Sequence, residues 1–307
     1  MDKLVSVVIP AYNEEENILV VIDHIEDVFE KLNYDYELII VDDGCADRTL
    51  DLVREAAQKD SRVFYIELSR NFGHQPALKA GLDSARGDCV ISLDADLQHP
   101  PRLLVEMLEK WEQGYDVVYT RRQEDKNLPF KKRKTSRLFY KLMNSLSDVE
   151  LEPGTADFRL MDRSVINVFK DFKENDLFVR GMVKWLGFKQ YALDYIPNAR
   201  FAGSSKYNIK RMRKLAMQGV TSLSVKPLHM AVYLGFLISG LSLLYLPYAI
   251  YAYFHTHVSG WASLIVTIAF FGGLQLIILG ILGIYIGKMF MQSKNRPTYI
   301  IRSTNIK

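Results

Sequence analysis

The sequence predicts an α/β domain with a mainly parallel sheet, followed by an amphipathic helix lying on a membrane and a two-helix transmembrane hairpin. Two observations carry this. Up to about Tyr119, short β-rich runs alternate with amphipathic stretches, the pattern of strands joined by helical crossovers. Farther on, Leu228 to Phe254 and Trp261 to Gly287 contain no Lys, Arg, Asp or Glu, and each run exceeds the roughly 20 residues needed to cross a hydrocarbon core of about 30 Å. A chain of 307 residues has room for one sizeable globular domain plus this appendage.

Strands are expected at Leu4–Ile9, Tyr36–Val41, Val63–Leu68, Cys89–Leu93 and Asp116–Tyr119, with helices such as Asn17–Leu32, Asp47–Lys59 and Pro101–Gln113 between them. From Gln123 to Lys141 a basic, sparsely apolar segment follows. It reads either as a solvated face or as a mobile loop that meets phosphate groups and lipid heads. Lys206 to Leu223 sets Ile209, Met212, Leu215, Ala216, Val220 and Leu223 at helical spacing among basic residues, an interfacial helix before the first span. The link His255 to Gly260 is short enough to force a tight hairpin, so both flanks of the spans fall on one side. The expected divisions are 1–200 for the globular domain, 201–226 for the interfacial region, 227–290 for the spans and 291–307 for a basic tail.

Charge is distributed unevenly. The chain has 39 basic and 36 acidic residues, but the last acidic residue is Asp194; the 12 basic residues after it leave 27 against 36 before it, so the net charge of +3 divides into −9 and +12. Basic residues crowd both outer flanks of the spans and none lies in the hairpin, which predicts a protein of the inner (plasma) membrane with its globular domain and C-terminus in the cytoplasm. No cleavable signal peptide and no nucleic-acid partner are expected. Cys45 and Cys89 fit a reducing compartment.

Three expected strands end in residues capable of chemistry: Pro10-Ala11-Tyr12-Asn13-Glu14, Asp42-Asp43-Gly44 and Asp94-Ala95-Asp96. In open α/β sheets ligands bind beyond the carboxyl ends of the strands, so these three ends should meet in one crevice. Two carboxylates one residue apart, as in Asp94 and Asp96, suit a hard divalent cation that also holds the phosphates of a nucleotide diphosphate. Asp43 can accept hydrogen bonds from a base or ribose, Tyr12 can stack on a base, and Glu14 can bind a ribose or a nearby Arg. Asp47 and Thr49 read as caps of the next helix. The chain lacks GxGxxG and GxxxxGK[ST], which argues against a dinucleotide enzyme and a P-loop NTPase.

Five ordered motifs together carry a resemblance: Val8-Ile9-Pro10-Ala11-Tyr12-Asn13-Glu14, Val41-Asp42-Asp43-Gly44, Asp94-Ala95-Asp96-Leu97-Gln98-His99-Pro100, Ala156-Asp157-Phe158-Arg159 and Gly203-Ser204-Ser205-Lys206-Tyr207. The set resembles family 2 glycosyltransferases of GT-A fold, and within them the polyprenyl-phosphate hexose synthases, meaning bactoprenol glucosyltransferases and relatives of dolichol-phosphate mannose synthase. The resemblance implies a donor site of Pro10, Ala11, Tyr12, Glu14, Asp43 and Asp94, a Mg2+ or Mn2+ ion held by Asp94, Asp96 and Gln98, and Asp157 with Asp96 as catalytic residues. It implies inverting transfer of a hexose to polyprenyl phosphate. Glucose from UDP-glucose is the first expectation and mannose from GDP-mannose the second. Cys45 departs from the family, which usually has Ser there.

The acceptor is a phosphate monoester whose second pKa is about 6, so it is largely ionised at neutral pH and scarcely needs a base. Asp157 therefore reads as a group that orients the acceptor, or that takes the residual proton of a monoanion. A lipid phosphate entering a carboxylate-rich site needs cations. Arg200 can bind it with a bidentate fork, helped by Ser204, Lys206, Arg121, Ser136 and Arg137. Two rivals remain. A processive polysaccharide synthase usually carries Gln-x-x-Arg-Trp, where this chain has Arg180-Gly181-Met182-Val183-Lys184-Trp185, and has more spans. A non-catalytic membrane scaffold predicts eroded motifs. Gly272, Gly273, Gly280 and Gly283 offer a small-residue face for a homo-oligomer.

Overall fold

The computed structural model describes residues 3–100, 102–123, 144–146, 152, 154–174, 177–196, 221, 224–255 and 260–306. Ser136, Arg137, Arg200, Ser204 and Lys206, with nearly all of the basic segment and the interfacial helix, lie outside them.

The expected strands form, with ends shifted by up to three residues, as β1 (Leu4–Ala11), β2 (Asp35–Asp42), β3 (Val63–Leu68), β4 (Cys89–Ser92) and β5 (Val117–Arg122). Helices α1 (Ile18–Phe29), α2 (Thr49–Lys59), α3 (His74–Ser84) and α4 (Arg102–Glu112) join them. Then come β6 (Thr155–Asp162), α5 (Arg163–Lys170), α6 (Val179–Trp185), β7 (Gln190–Tyr195), the long helices α7 (Lys226–His255) and α8 (Trp261–Ser293), and β8 (Ile301–Thr304). Among the described residues eight strands form one sheet, in the order β7-β5-β6-β4-β1-β2-β3-β8.

The sheet is mixed: four of its seven pairings are parallel, as expected, and two antiparallel strands that the sequence did not predict supply the other three. β1, β2, β3 and β4 are parallel neighbours, as helical crossovers require, but β6 enters antiparallel between β4 and β5, and β8 lies antiparallel on β3. The periodicity that predicted parallel strands stops at Tyr119, before either antiparallel strand. Alternation along the central strands feeds two cores, one on each face of the sheet. Val7, Ile9, Leu38 and Ile40 pack with α1 and α4 residues such as Ile22, Ile25 and Met107, whereas Val8, Ile39 and Val41 pack with Leu78, Val165, Phe169 and Met182.

In α8, Leu264–Ser293 contains an 18-residue window of mean hydropathy 2.4 and is, among the described residues, the one helix long and apolar enough to cross a membrane. Its Leu264, Phe270, Leu276 and Ile286 point outward, as do Tyr233, Phe236 and Leu244 of α7. Both helices therefore carry large exposed apolar side chains. Hydrogen bonds tie α8 to other described residues: Tyr285 Oη donates to Ser224 O at 2.7 Å, and Gln292 Nε2 to Lys173 O at 2.9 Å. Residues 301–304, expected as part of a basic tail, form β8 within the globular domain's sheet.

Candidate active site

The three strand ends singled out in the sequence do converge, and a fourth joins them. At the end of β2, Asp43 donates its N–H to Ala11 O at 2.9 Å, while its two carboxylate oxygens accept the N–H groups of Phe72 (2.7 Å) and Gly73 (2.9 Å) in the turn between β3 and α3. Burial pushes the Asp43 carboxyl up, and these two N–H groups oppose the shift. Each oxygen keeps acceptor capacity for a ligand. Gly44 has φ 69°, and a Cβ there would lie 2.6 Å from the backbone of Arg70 and Asn71, so only glycine lets these two turns meet.

Cys45 serves the same junction. Its Sγ accepts the Asn13 N–H at 3.1 Å and lies 3.6 Å from Ala11 O as a donor. Burial and the neighbouring Asp42 push the thiol up to about 12, so it stays protonated and acts as a hydroxyl would. Tyr12 stands 42% exposed at the rim, a platform for stacking. Glu14 accepts from Asn17 Nδ2 at 2.7 Å. Asp47 accepts the Thr49 N–H at 3.0 Å just before α2, whose N-cap position is held by Arg48 rather than by either residue expected there.

After β4, the chain turns sharply at Leu97, whose φ of 58° is unusual for a bulky residue, and Gln98 N–H returns to Asp96 Oδ1 at 3.2 Å. Asp94 has the His74 and His99 rings within 3.6 Å, and its side chain is 39% exposed. Burial raises its carboxyl, but the two imidazoles more than offset this and leave it lowered. His99 is wedged between Phe158 and Tyr195, with neither ring nitrogen hydrogen-bonded among the described residues. Among those residues no group of three His, Cys, Asp or Glu side chains converges to hold a metal by protein alone. Two carboxylates and an amide are hard oxygen donors that fit magnesium or manganese when substrate phosphates complete the shell.

Asp157 comes from β6, which runs antiparallel to β4 with Ser92 opposite Arg159, two residues from each carboxylate, and His74 Nε2 lies near both Asp157 and Asp94. Arg180 of α6 grips it with a fork, Nε to Oδ1 and Nη2 to Oδ2, both at 2.8 Å. Gln75 Nε2 adds a contact at 3.3 Å and Arg159 Nη2 another at 3.5 Å, while His74 Nε2 lies 3.5 Å away and spans the gap to Asp94. Burial would raise this carboxyl, but Arg180 and His74 hold it well below the usual carboxylate range. Burial depresses His74 in turn, yet its two carboxylate neighbours bring it up to about 9. A carboxylate so thoroughly paired is a poor proton acceptor and a good fixed negative charge.

The sequence reading did not find Arg180, His74 and Gln75. A signal existed for the last two, because Val63–Leu68 was an expected strand and Asn71-Phe72-Gly73-His74-Gln75 follows its carboxyl end. Arg180 had been seen only as a departure from another motif. Arg121, expected to meet the acceptor phosphate, is 40% exposed and paired: Nε and Nη2 bind Asp194 at 2.6 and 2.9 Å, and Nη1 meets Glu152 at 3.4 Å.

Residues 6–169 match the family described as glycosyl transferase family 2, over more than half of the chain. The chain belongs to that family. As a family 2 glycosyltransferase it has similar relatives along almost its entire length. It is 44% identical to the uncharacterized glycosyltransferase YkcC of Bacillus subtilis (strain 168), over 97% of this chain and 93% of that protein. It is 40% identical to the bactoprenol glucosyl transferase of Shigella phage SfV, over 97% and 98%. Two solved structures share its fold at a TM-score of 0.50. One is mannosyl-3-phosphoglycerate synthase of Rubrobacter xylanophilus (17% identity; 70% of this chain, 71% of that one), and the other is a Pyrobaculum calidifontis mannosyltransferase in complex with GDP-Man and Mn2+ (18%; 72% and 63%). The globular domain of this family 2 enzyme is accordingly GT-A-like, with a mixed sheet.

Proposed function

We propose that this glycosyltransferase transfers a hexose, glucose from UDP-glucose, to a polyprenyl phosphate such as undecaprenyl phosphate, with inversion, at the cytoplasmic face of the plasma membrane. The observation that carries the chemistry is the pairing across β4 and β6 of a part-exposed carboxylate, Asp94, with a fully paired one, Asp157. The class of acceptor rests on the match, over nearly the whole chain, to an enzyme named for transfer of glucose to bactoprenol.

In this reading Pro10, Ala11, Tyr12, Glu14 and Asp43 seat the nucleotide. Asp94, Asp96 and Gln98 hold a magnesium or manganese ion, which when bound neutralises the diphosphate. The acceptor's phosphate oxygen forms the new bond to the anomeric carbon on the face opposite the diphosphate, and the old bond to the diphosphate breaks. Asp157 remains ionised throughout, orienting rather than deprotonating, because Arg180 already satisfies it. Arg200, Ser204, Lys206, Ser136 and Arg137 draw in the lipid phosphate.

The position of β8 supports a two-span membrane arrangement. Its pairing with β3 brings the chain back to the side of the sheet after α8, so an even number of crossings is needed. α7 and α8 supply two, and the basic flanks put both ends in the cytoplasm. In this reading the chain divides at 1–200, 201–226, 227–290 and 291–307, except that 301–304 return to the sheet. Gly272, Gly273, Gly280 and Gly283 have open space above them and support association between copies through α8.

The test is transfer of radiolabel to undecaprenyl phosphate by purified protein, from UDP-glucose or GDP-mannose, with Mn2+, Mg2+ or a chelator. Metal-dependent labelling from UDP-glucose is the expected result. Labelling from GDP-mannose alone selects the mannose reading, and labelling of no lipid from either donor overturns the proposal.

A further inference from the structure

The chain's own last residues close one edge of the sheet. β8 pairs with β3 through Ile66 with Thr304, Glu67 with Ser303 and Leu68 with Ile301. Glu67, only 8% exposed, collects Ser303 Oγ at 2.5 Å, Arg54 Nη2 at 3.0 Å and Arg302 Nη1 at 3.3 Å. Asn305 Oδ1 accepts the Tyr65 N–H at 2.7 Å, and Thr304 Oγ1 donates to Tyr65 O at 2.7 Å. Protection of an edge strand requires no more than this.

The segment nevertheless reaches farther than the edge. Ile300 O accepts the N–H of Ser69 at 2.9 Å, the first residue beyond β3. Tyr299 Oη donates to Asp83 Oδ2 at 2.9 Å in the last turn of α3, and the other oxygen of Asp83 takes Lys79 Nζ at 2.7 Å. Tyr299 and Ile306 pack against the same apolar core as Phe72. The turn at 69–73 and α3 are thus held at Ser69 and Asp83 by the C-terminus. Between those points, Phe72 and Gly73 grip Asp43, and His74 and Gln75 stand against Asp157.

We propose that Tyr299–Ile306 is a positioning strap for the nucleotide-sugar site: it holds the β3–α3 turn and α3 in register, so that Asp43, His74 and Gln75 keep their places in the cleft. This rests on the reading of that cleft as the donor site. The strap follows α8 within a few residues, which makes the membrane helix and the donor site one connected unit. Detaching it leaves the sheet and the membrane helices in place but loosens the grip on the nucleotide.

The test compares the full chain in detergent with a chain ending at Thr298 and with the double variant Tyr299→Phe, Ser303→Ala, which keeps the strap but removes two of its anchors. Amide exchange is followed in residues 69–76, and steady-state transfer is measured with UDP-glucose or GDP-mannose, Mn2+ and undecaprenyl phosphate. Both variants should exchange faster at 69–76. The shortened chain should show a donor KM raised about tenfold with kcat within about twofold, the signature of lost binding shared by ground and transition states. A synthetic peptide of residues 299–307 should reverse both effects. Faster exchange confined to 63–68 with donor KM unchanged would reduce the strap to edge cover and overturn the proposal. Should the shortened chain fail to fold, the double variant decides by the same two readouts. If wild type transfers neither sugar, the proposed activity fails, while unchanged exchange at 69–76 in the variants still refutes the strap.

Discussion

The ends of β4 and β6 face one another across the cleft and treat their carboxylates in opposite ways. Asp157 has a side chain 7% exposed and is gripped by a bidentate guanidinium; Asp94 is 39% exposed and has two imidazoles at 3.6 Å, beyond hydrogen-bonding distance. A charge whose partners are built into the fold is fixed in direction and cannot easily change protonation. A charge left part-exposed beside another carboxylate is available to a cation that arrives with the substrate. The difference fits the proposed separation of orientation, at Asp157, from charge neutralisation, at Asp94 and Asp96, which the sequence reading already drew.

The largest effect should come from the exposed pair. Asp96→Asn or Asp94→Asn should lower lipid labelling by about a thousandfold or more, with membrane insertion unchanged, because charge neutralisation at the diphosphate is lost. Near-normal labelling by either variant would remove it from the metal site. Asp157→Asn should cost less, about a hundredfold in kcat, and its transfer rate between pH 6 and 8 should follow the wild-type profile, as an orienting group requires. A pH step near the acceptor's second pKa of about 6 that vanishes in the variant would restore the role of base to Asp157.

Arg180→Ala probes the other half of the comparison. Breaking the buried pair should destabilise the chain by about 3 kcal/mol at neutral pH. The sign with pH is set by the depressed Asp157 carboxyl, whose ordinary value is 3.8. A folded value below the unfolded one gives stability that is fully present above about pH 4 and fades as pH falls toward the folded value. The gap in melting temperature between wild type and Arg180→Ala should therefore be widest at pH 7 and narrow below about pH 4. A gap independent of pH would mean that Arg180 contributes packing alone.

The smallest effect is expected at Cys45→Ser. The hydroxyl can accept from Asn13 and donate to Ala11 as the protonated thiol does, so activity should stay within about threefold of wild type. Alkylation of Cys45 by iodoacetamide at pH 8 should be slow, because its thiol is pushed up to about 12. Rapid alkylation would show that the junction between the first two strand ends opens in solution.

Much of this site is legible in the sequence because each piece of it is local. A strand run ending in Asp42-Asp43-Gly44 or in Asp94-Ala95-Asp96 places its acids at a carboxyl end by periodicity alone, and the crevice follows from the rule for open sheets. Arg180 is of another kind. It lies 23 residues beyond Asp157 in a short helix, and nothing in its neighbours marks it as the carboxylate's partner. Residues 301–304 are similar: in sequence they are four residues of a basic tail, and they become a strand because β3 offers an unpaired edge.

The sequence by itself determined the α/β alternation, the acids at the strand ends, the two apolar runs and the family. Each is set by periodicity, local composition or short motifs within a few turns of chain. Tertiary structure decided that the sheet is mixed, that Arg180 rather than solvent faces Asp157, that Arg121 is held by Asp194 and Glu152, and that the C-terminus returns to the catalytic domain. Charge pairing and strand addition depend on distance and direction between segments remote in the chain, and those are fixed only once the strand order is set.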